Sequence, residues 1–245
     1  MTEISREIRR RTDNRSNKML NKDLVHIEEV DKGLAKSVIE SNHYSHKIPQ
    51  AIKYRFGLFY DNELKGVVIF SVPANMHTFT SVFHEVSQHV GLELSRVYTS
   101  DDTPANFESY CLSRCLKYIE KRTDYDVVVS YADPNFGHAG YLYQALNAWY
   151  LGETNSEVRY LYKGQLITRR GLGRRKGDSE KAHRERIMAD GAKRVKMKGK
   201  HKYIFFTCNK RKKRELMSLI KDKVNISKNY PKIEEFEEGK NEEDT

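Results

Sequence analysis

The sequence has few cysteines and no long apolar run. Its 245 residues contain only Cys111, Cys115 and Cys208, and an odd number without paired spacing argues against a disulfide framework. Cys111 and Cys115 lie four apart on a predicted helix and could share a metal, but without a C-x-x-C element we interpret them as packed apolar residues. Apolar stretches such as residues 66–72 are strand-sized, far below the roughly 20 residues of a transmembrane helix. The polar N-terminus also lacks the apolar core of a signal peptide. We therefore expect a cytoplasmic protein without membrane contact.

Charge is distributed unevenly along the chain, whose formal net charge is +10. Residues 169–214 hold 19 Lys or Arg against four Asp or Glu, whereas residues 233–245 hold seven acidic residues and one lysine. A basic stretch of this size suits the phosphates of double-stranded DNA, although a solvated charged face has the same composition. The predicted nucleic-acid contacts are Arg169, Arg170, Arg174, Arg175 and Lys176. We expect residues 1–22 to form a mobile basic arm and residues 233–245 a disordered acidic tail.

Hydrophobic periodicity predicts a mixed α/β fold. The predicted strands are residues 24–30, 53–60, 64–72, 92–98, 126–132 and 202–208, with a hairpin over 158–168 and a weaker strand at 83–90. One predicted helix begins after Asp31, and three others cover residues 105–121, 139–150 and 215–221. A crossover helix between strands 92–98 and 126–132 usually means that the two are parallel. Since no second core is evident, we predict one domain over residues 23–232, with a mostly antiparallel central sheet, one splayed parallel strand pair and flanking helices.

Chemically versatile side chains lie at the carboxyl ends of the predicted parallel strands, where diverging strands form a ligand crevice. Ser95 and Arg96 end one strand, and Tyr131 and Asp133 end the other. An arginine there can bind a carbonyl, phosphate or carboxylate. Residue type alone leaves open that Arg96 and Asp133 merely pair with each other or with surface partners.

The next predicted helix adds Tyr143, whose phenol can point back toward Asp133 and act on a leaving group or nucleophile. A helical tyrosine is more often a packing residue. Gly137 and Gly140 allow tight turns near the start of this helix and could accept a carbonyl or an anion.

The loop of residues 43–49 concentrates His43, Tyr44 and His46, and such loops often contact substrate. We predict substrate contacts for His43 and Tyr44. The absence of a nearby carboxylate pattern argues against a metal site, and we predict none.

Several motifs together resemble the Mom proteins of Mu-like phages. They occur in order over roughly residues 34–232: Asn42-His43-Tyr44-Ser45, Arg55-Phe56-Gly57-Leu58-Phe59, Leu92-Glu93-Leu94-Ser95-Arg96, Ser130-Tyr131-Ala132-Asp133-Pro134, Tyr143-Gln144-Ala145 and Asn229-Tyr230-Pro231-Lys232.

This resemblance implies a GNAT-like fold and a transferase that adds a methylcarbamoyl, glycinamide-like group to N6 of adenine in phage DNA, which protects that DNA from host restriction in the bacterial cytoplasm. It also implies that Arg96, Asp133 and Tyr143 are catalytic. A tyrosine of the early hairpin is implicated as well; Tyr54 and Tyr60 are the candidates, and we place Tyr60 among the substrate contacts with Ser95, Tyr131 and Gly137.

The donor of the transferred group stays open. GNAT enzymes hold the pyrophosphate of acetyl-CoA in a glycine-rich loop. The corresponding residues 100–104 of this chain include two acids and no glycine, and carboxylates repel a pyrophosphate. Acetyl-CoA or another acyl or aminoacyl donor, either a small molecule or linked to tRNA, remains conceivable. The alternatives are an N-acetyltransferase acting on a protein or small-molecule amine and a DNA-binding protein without activity. The sequence does not determine the oligomeric state.

Overall fold

The computed structural model describes residues 19–168, 177 and 179–232. The helices of this part are α1 (Lys32–Asn42), α2 (Phe107–Arg122), α3 (Tyr141–Ala145), α4 (Glu180–Ala189) and α5 (Lys210–Ser218). The strands are β1 (Val25–Glu29), β2 (Ile52–Tyr60), β3 (Glu63–Ser71), β4 (Gly91–Thr99), β5 (Val127–Ala132), β6 (Trp149–Glu153), β7 (Glu157–Tyr162), β8 (Gln165–Thr168), β9 (Lys193–Met197) and β10 (His201–Phe206). Within it, no helix is long and apolar enough to span a bilayer.

A seven-stranded sheet in the order β1-β2-β3-β4-β5-β10-β6 forms the centre of the molecule. Its neighbouring strands are antiparallel except β4 and β5, which are parallel and joined by α2. Apolar residues cover both faces. One face packs against α2 and α3, and the other packs against α1 and α5. The predicted fold class, a mostly antiparallel sheet with one parallel pair and flanking helices, is confirmed.

Local sequence signals explain how several elements begin and turn. Asp31 caps α1, since its carboxylate accepts hydrogen bonds from the backbone N–H groups of Gly33 and Leu34. Asp61 and Asn62 both have positive φ angles, 51° and 62°, as a two-residue hairpin turn requires. Cys111 and Cys115 are buried in the core beneath α2, and burial raises the pKa of both thiols.

The predicted helix over residues 139–150 is wrong in length. Its helical part ends at Ala145, and Asn147 adopts a left-handed φ of 56°. Trp149 and Tyr150 then belong to β6, where they pair with Ile204 and Tyr203 of β10. Strand pairing along β10 overrides the helical periodicity because aromatic side chains pack well on a sheet.

The weak strand predicted at residues 83–90 is also wrong. Apart from one isolated bridge between Phe83 and Ile220, this stretch is a loop that ends in a short 3₁₀ helix over Gln88–Val90.

A second sheet, in the order β8-β7-β9, was not predicted. It belongs to an insertion between β6 and β10, residues 154–200, and Tyr160 on one of its faces packs with Ile187 and Ala192 in a small core of its own. The predicted hairpin over 158–168 is present as β7 and β8, with Lys163 and Gly164 at its turn. The prediction of no second core therefore failed, because few apolar residues suffice for a three-stranded sheet covered by one helix.

The predicted arm and tail, and the predicted phosphate contacts Arg169, Arg170, Arg174, Arg175 and Lys176, lie outside the described residues, apart from the last residues of the arm.

Candidate active site

The parallel strands β4 and β5 separate after a short paired stretch. Their pairing begins at Gly91 and Val127 and ends at Leu94 and Ser130, although β4 continues to Thr99. The cause is a bulge at Ser95, since Arg96 pairs with Ile69 of β3 and Leu94 pairs with Phe70, which leaves Ser95 between them. A bulge bends its strand, and β4 leaves β5 at this point to form a crevice.

Tyr143 lies at the point of separation. Its hydroxyl is hydrogen-bonded to the side chain of Ser130, and Ser130 Oγ donates to the carbonyl of Leu94 over 3.1 Å. Burial raises the pKa of Tyr143, so the phenol keeps its proton at neutral pH and is a donor. Its ring packs edge-on against Tyr203, with centroids 5.4 Å apart.

Arg96 is held at the crevice by two carbonyl groups. Its Nε donates to the carbonyl of Lys47 over 2.9 Å, and its Nη1 donates to the carbonyl of Ser95 over 2.6 Å. Burial lowers the pKa of Arg96, while Tyr44 and Glu93 raise it. A guanidinium has five N–H groups, so the remaining ones can bind a ligand. Backbone carbonyls, and not the carboxylate of Asp133, hold Arg96 in place, so a simple Arg96–Asp133 pair does not explain its position.

Asp133 follows the last residue of β5 and is only 2% exposed. Its Oδ1 accepts from the backbone and side-chain nitrogens of Asn135, at 3.1 and 2.7 Å. Its Oδ2 lies 3.3 Å from the Nζ of Lys200. Three donors thus hold a buried carboxylate in one orientation, as an acid–base or amine-binding group requires.

Tyr44 connects these groups. Asp133 raises the pKa of its hydroxyl after the larger effect of burial, whereas Arg96 and Arg159 lower it. Tyr44 also acts on the pKa of Tyr143. The phenol of Tyr44 is therefore within electrostatic reach of all three predicted catalytic residues.

Aromatic side chains surround Tyr44 at the mouth of the crevice. Its ring stacks on His43 at 4.3 Å and contacts Phe136 at 4.8 Å and His138 at 5.4 Å. Tyr44 is nevertheless 43% exposed. The exposed part of the Tyr44 ring offers a partly open aromatic surface on which a nucleobase can stack.

His43 is buried, and its pKa is lowered to about 4 by burial, then by Arg96, His138 and His46. It is neutral at pH 7, and its Nδ1 accepts from the backbone N–H of Ser45 over 3.1 Å, which assigns the ring proton to Nε2. His46 Nδ1 contacts the carbonyl of Glu40 over 2.8 Å. In the described part of the chain, no three His, Cys, Asp or Glu residues are grouped to hold a metal ion.

Two other predicted site residues, Ser95 and Gly137, have local structural roles. The Oγ of Ser95 is hydrogen-bonded to Ser71 and to the carbonyl of Glu93, so this side chain stabilises the bulge. The backbone N–H of Gly137 donates to the carbonyl of Pro134 over 3.1 Å; Gly137, with φ of 74°, ends a short 3₁₀ helix over Pro134–Phe136.

Tyr131 and Tyr60 lie away from Tyr143. Tyr131 packs with the apolar cluster on the opposite face of β5 from Ser130, where burial raises its pKa to about 12. Tyr60 ends β2, two strands from β4, and packs edge-on against Phe107 at 5.8 Å. Tyr54, the other hairpin candidate, contacts Tyr118 and Tyr125.

Sequence reasoning missed Asn135, Phe136, His138 and Lys200. An Asp-Pro-Asn sequence is a turn signal, because an Asp side chain bonds to the backbone two residues on, and it could have indicated Asn135. Nothing in the sequence places Lys200 beside Asp133, since they meet only because β10 pairs with β5.

The acidic loop of residues 100–104 is bound to the β2–β3 hairpin. Lys65 Nζ lies 2.7 Å from both Asp102 and Glu63, and this lysine lowers the pKa of Asp102. The loop therefore keeps a carboxylate ahead of α2.

Comparisons with known protein sequences agree with these motifs. The sequence profile of the Mom protein family matches residues 24–232. The methylcarbamoylase mom of Escherichia phage Mu is 29% identical over 203 residues, covering 80% of this chain and 81% of that protein. Among solved structures, the ribosomal-protein-S18-alanine N-acetyltransferase of Escherichia coli matches with a TM-score of 0.42 and 11% identity over 76% of this chain and 95% of its own. A spermidine N-acetyltransferase of Vibrio cholerae matches with a TM-score of 0.43 and 8% identity over 76% and 95%. By its sequence, this chain belongs to the Mom protein family.

Proposed function

We propose that this chain is a transferase that modifies phage DNA by adding a methylcarbamoyl group to N6 of adenine and so protects that DNA from host restriction. The name of the phage Mu relative supports the type of group. The observation that carries the proposal is that the loop of Tyr44 contacts both strand ends: the carbonyl of Lys47 in this loop accepts a hydrogen bond from Arg96, and the ring of Tyr44 contacts Phe136, three residues after Asp133.

The adenine leaves the base stack before it reacts, because its amine is inaccessible to such a crevice within a duplex. It stacks on Tyr44 between the rings of Phe136 and His138, with its amine directed at Asp133. Since an adenine amine is a poor nucleophile, orientation supplies much of the rate.

The residues then have separate roles. Asp133, oriented by Asn135 and Lys200, accepts the proton that the amine loses when its nitrogen bonds to the electrophilic carbon of the donor. Arg96 binds the carbonyl or carboxylate of the donor and stabilises the charge that develops there. Tyr143 donates a proton to the leaving group, which departs with the bonding electrons.

The acidic loop argues against an acetyl-CoA pyrophosphate ahead of α2, because Asp102 stays ionised there. We therefore propose a donor other than acetyl-CoA, supplied by the bacterial cytosol as another acyl or an aminoacyl compound. If the chain were an acetyltransferase, it would bind acetyl-CoA and leave deoxyadenosine unmodified.

The test is expression in a bacterium followed by mass spectrometry of digested DNA. The wild-type chain should produce a deoxyadenosine heavier by one methylcarbamoyl group. Asp133→Asn should reduce this product by about 100-fold or more while DNA affinity stays within about twofold. Asp124→Asn is the matched control, because Asp124 is exposed just ahead of the opposite end of β5, and it should be fully active. Equal product from the Asp133 and Asp124 variants would contradict the assignment.

A further inference from the structure

The described strands of the insertion, β7, β8 and β9, follow the central sheet at the edge where Asp133 lies. His201, the first residue of β10, pairs with both Ala132 of β5 and Glu153 of β6. Strands β7, β8 and β9 form an antiparallel ribbon, and the pairing of β7 with β9 starts at Glu157 and Met197.

The base of this ribbon is fixed to the candidate active site. The side chain of Asn135 donates to the carbonyl of Lys198 and accepts from its backbone N–H, both over 3.0 Å. The same side chain donates to Asp133. Thr154 and Lys200 are joined by two further bonds of 2.9 and 2.8 Å. The ribbon therefore has a defined direction relative to Asp133.

One face of the ribbon carries two exposed leucines. Leu161 of β7 and Leu166 of β8 are cross-strand partners and share a face, and they are 41% and 37% exposed. Tyr160, which points to the opposite face, is buried against Ile187 and Ala192 beside α4. The leucine pair is thus an apolar patch on the face that α4 does not cover, and such patches commonly mark interaction sites.

The base of this face lies beside Asp133, because Lys198, which follows the Glu157–Met197 pair, is hydrogen-bonded to Asn135. Residues two apart on a strand point to the same side, so Arg159 shares the face of Leu161. The charge of Arg159 lowers the pKa of Tyr44, which places Arg159 within electrostatic reach of that ring. At about 3.3 Å per residue, Leu161 lies roughly 13 Å beyond the Glu157–Met197 pair. DNA grooves are about 7.5 to 8.5 Å deep, so a ribbon of this length reaches from the backbone to the base stack.

The surroundings of the leucines are positively charged. Lys163 lies at the hairpin turn and Lys193 lies on the leucine face of β9, and both are exposed. Arg194 and Lys196, which pair with Tyr160 and Val158, are exposed on the other face of the same strand. Lys193 pairs directly with Leu161. An apolar tip within a cationic ribbon is complementary to duplex DNA, which presents phosphates outside and apolar base faces within.

We propose that Leu161 and Leu166 form an apolar wedge that enters the base stack of duplex DNA and holds it open while the adenine occupies the crevice. This inference rests on the proposed function. Removing a base from the stack costs free energy, and inserted apolar side chains offset that cost by packing against the unstacked neighbours.

The test compares the double variant Leu161→Ala/Leu166→Ala with Met188→Ala. Met188 is 43% exposed on α4 of the same insertion, so the control removes an exposed apolar side chain away from the ribbon face. Since all three side chains are exposed, the thermal midpoints should stay close to that of the wild type.

Affinity is measured for two duplexes, one fully paired and one with an abasic site opposite a central adenine. The double variant should lose about tenfold in affinity for the paired duplex and less than about twofold for the abasic duplex, whose adenine is already unpaired. Met188→Ala should bind both as the wild type does. In cells, the double variant should also give about tenfold less modified deoxyadenosine.

Equal losses on both duplexes, or no loss, would overturn the wedge. So would a change from dimer to monomer in the double variant without a change in the ratio of the two affinities, because the patch would then join two copies of the chain. If the wild-type chain gives no modified deoxyadenosine, the proposed function fails instead, and the two-duplex comparison still decides whether the leucines open DNA.

Discussion

The side-chain amide of Asn135 donates to Oδ1 of Asp133 over 2.7 Å. Through its other contacts with Lys198, this amide joins the buried carboxylate to the base of the β7–β9 ribbon. The residue that orients Asp133 is therefore the same one that fixes the projecting ribbon to the central sheet.

Asn135→Ala should reduce DNA modification by about 10- to 100-fold, because a hydrogen bond to a charged group contributes about 1.5–3 kcal/mol. Asn135→Asp should be more damaging, since a second carboxylate beside Asp133 repels it and cannot donate the hydrogen bond. The measurement is the fraction of modified deoxyadenosine in cellular DNA, with the thermal midpoint as a control for folding. If Asn135 only maintained packing, the isosteric aspartate would retain more activity than alanine, and that order would contradict an electrostatic role.

Two glycines with the same backbone angle provide a matched pair of substitutions. Gly140 and Gly152 both have φ of +83°, but a Cβ at Gly140 would lie 2.5 Å from the ring of buried Tyr203, whereas one at Gly152 would meet nothing within 4 Å. Gly152→Ala should cost about 1 kcal/mol of unfolding free energy from strain alone. Gly140→Ala should cost about 2–4 kcal/mol, because overpacking adds to the strain. Urea denaturation checks both values, and equal costs would show that Tyr203 moves aside freely.

Patterns in the sequence predicted the central sheet well because its strands follow period-2 alternation or continuous apolar runs. Asp31, Asp61 and Asn62 are turn and cap residues whose local chemistry is sufficient to define element ends. The positions of Arg96 and Asp133 followed from the crossover between β4 and β5, which is a topological rule.

Long-range pairing explains what the sequence could not show. Trp149 and Tyr150 fit a helical stripe equally well, and only β10 at their side makes them a strand. Lys200 is brought to Asp133 by the same pairing. The aromatic group around Tyr44 likewise joins a loop after α1 with a loop after β5, and a single sequence has no signal for such a contact.

His43 should make stability depend on pH in a defined window. Its pKa is lowered to about 4 in the folded chain from the ordinary histidine value of about 6.5 in the unfolded chain, so between these values the unfolded chain binds one more proton. The contribution of neutral His43 to the free energy of unfolding is therefore fully present above pH 6.5. It decreases by about 3 kcal/mol as pH falls toward 4.

The comparison for His43 uses His43→Asn, whose amide oxygen can still accept from Ser45 but does not titrate. As pH falls from 7 to 4.5, the unfolding free energy of the wild type should decrease relative to that of the variant. Carboxylates elsewhere titrate in both proteins and cancel. Two parallel curves would show that His43 is not the titrating group.

Lys202 should be a destabilising residue at neutral pH. Burial lowers its pKa to about 8, although its Nζ donates to the carbonyl of Thr78 over 3.1 Å. Between pH 8 and the ordinary lysine value of 10.5, the unfolded chain holds a proton that the folded chain has released, so stability rises with pH across this window. Below pH 8 the folded chain carries the full cost of a buried ammonium.

Lys202→Met removes that cost, and the Thr78 carbonyl keeps a donor in Ser81. The variant should be more stable by about 1–3 kcal/mol at pH 7, with the advantage vanishing toward pH 10.5. Chemical denaturation across pH 7–10.5 measures this, and a difference that stays constant with pH would mean that Lys202 titrates normally.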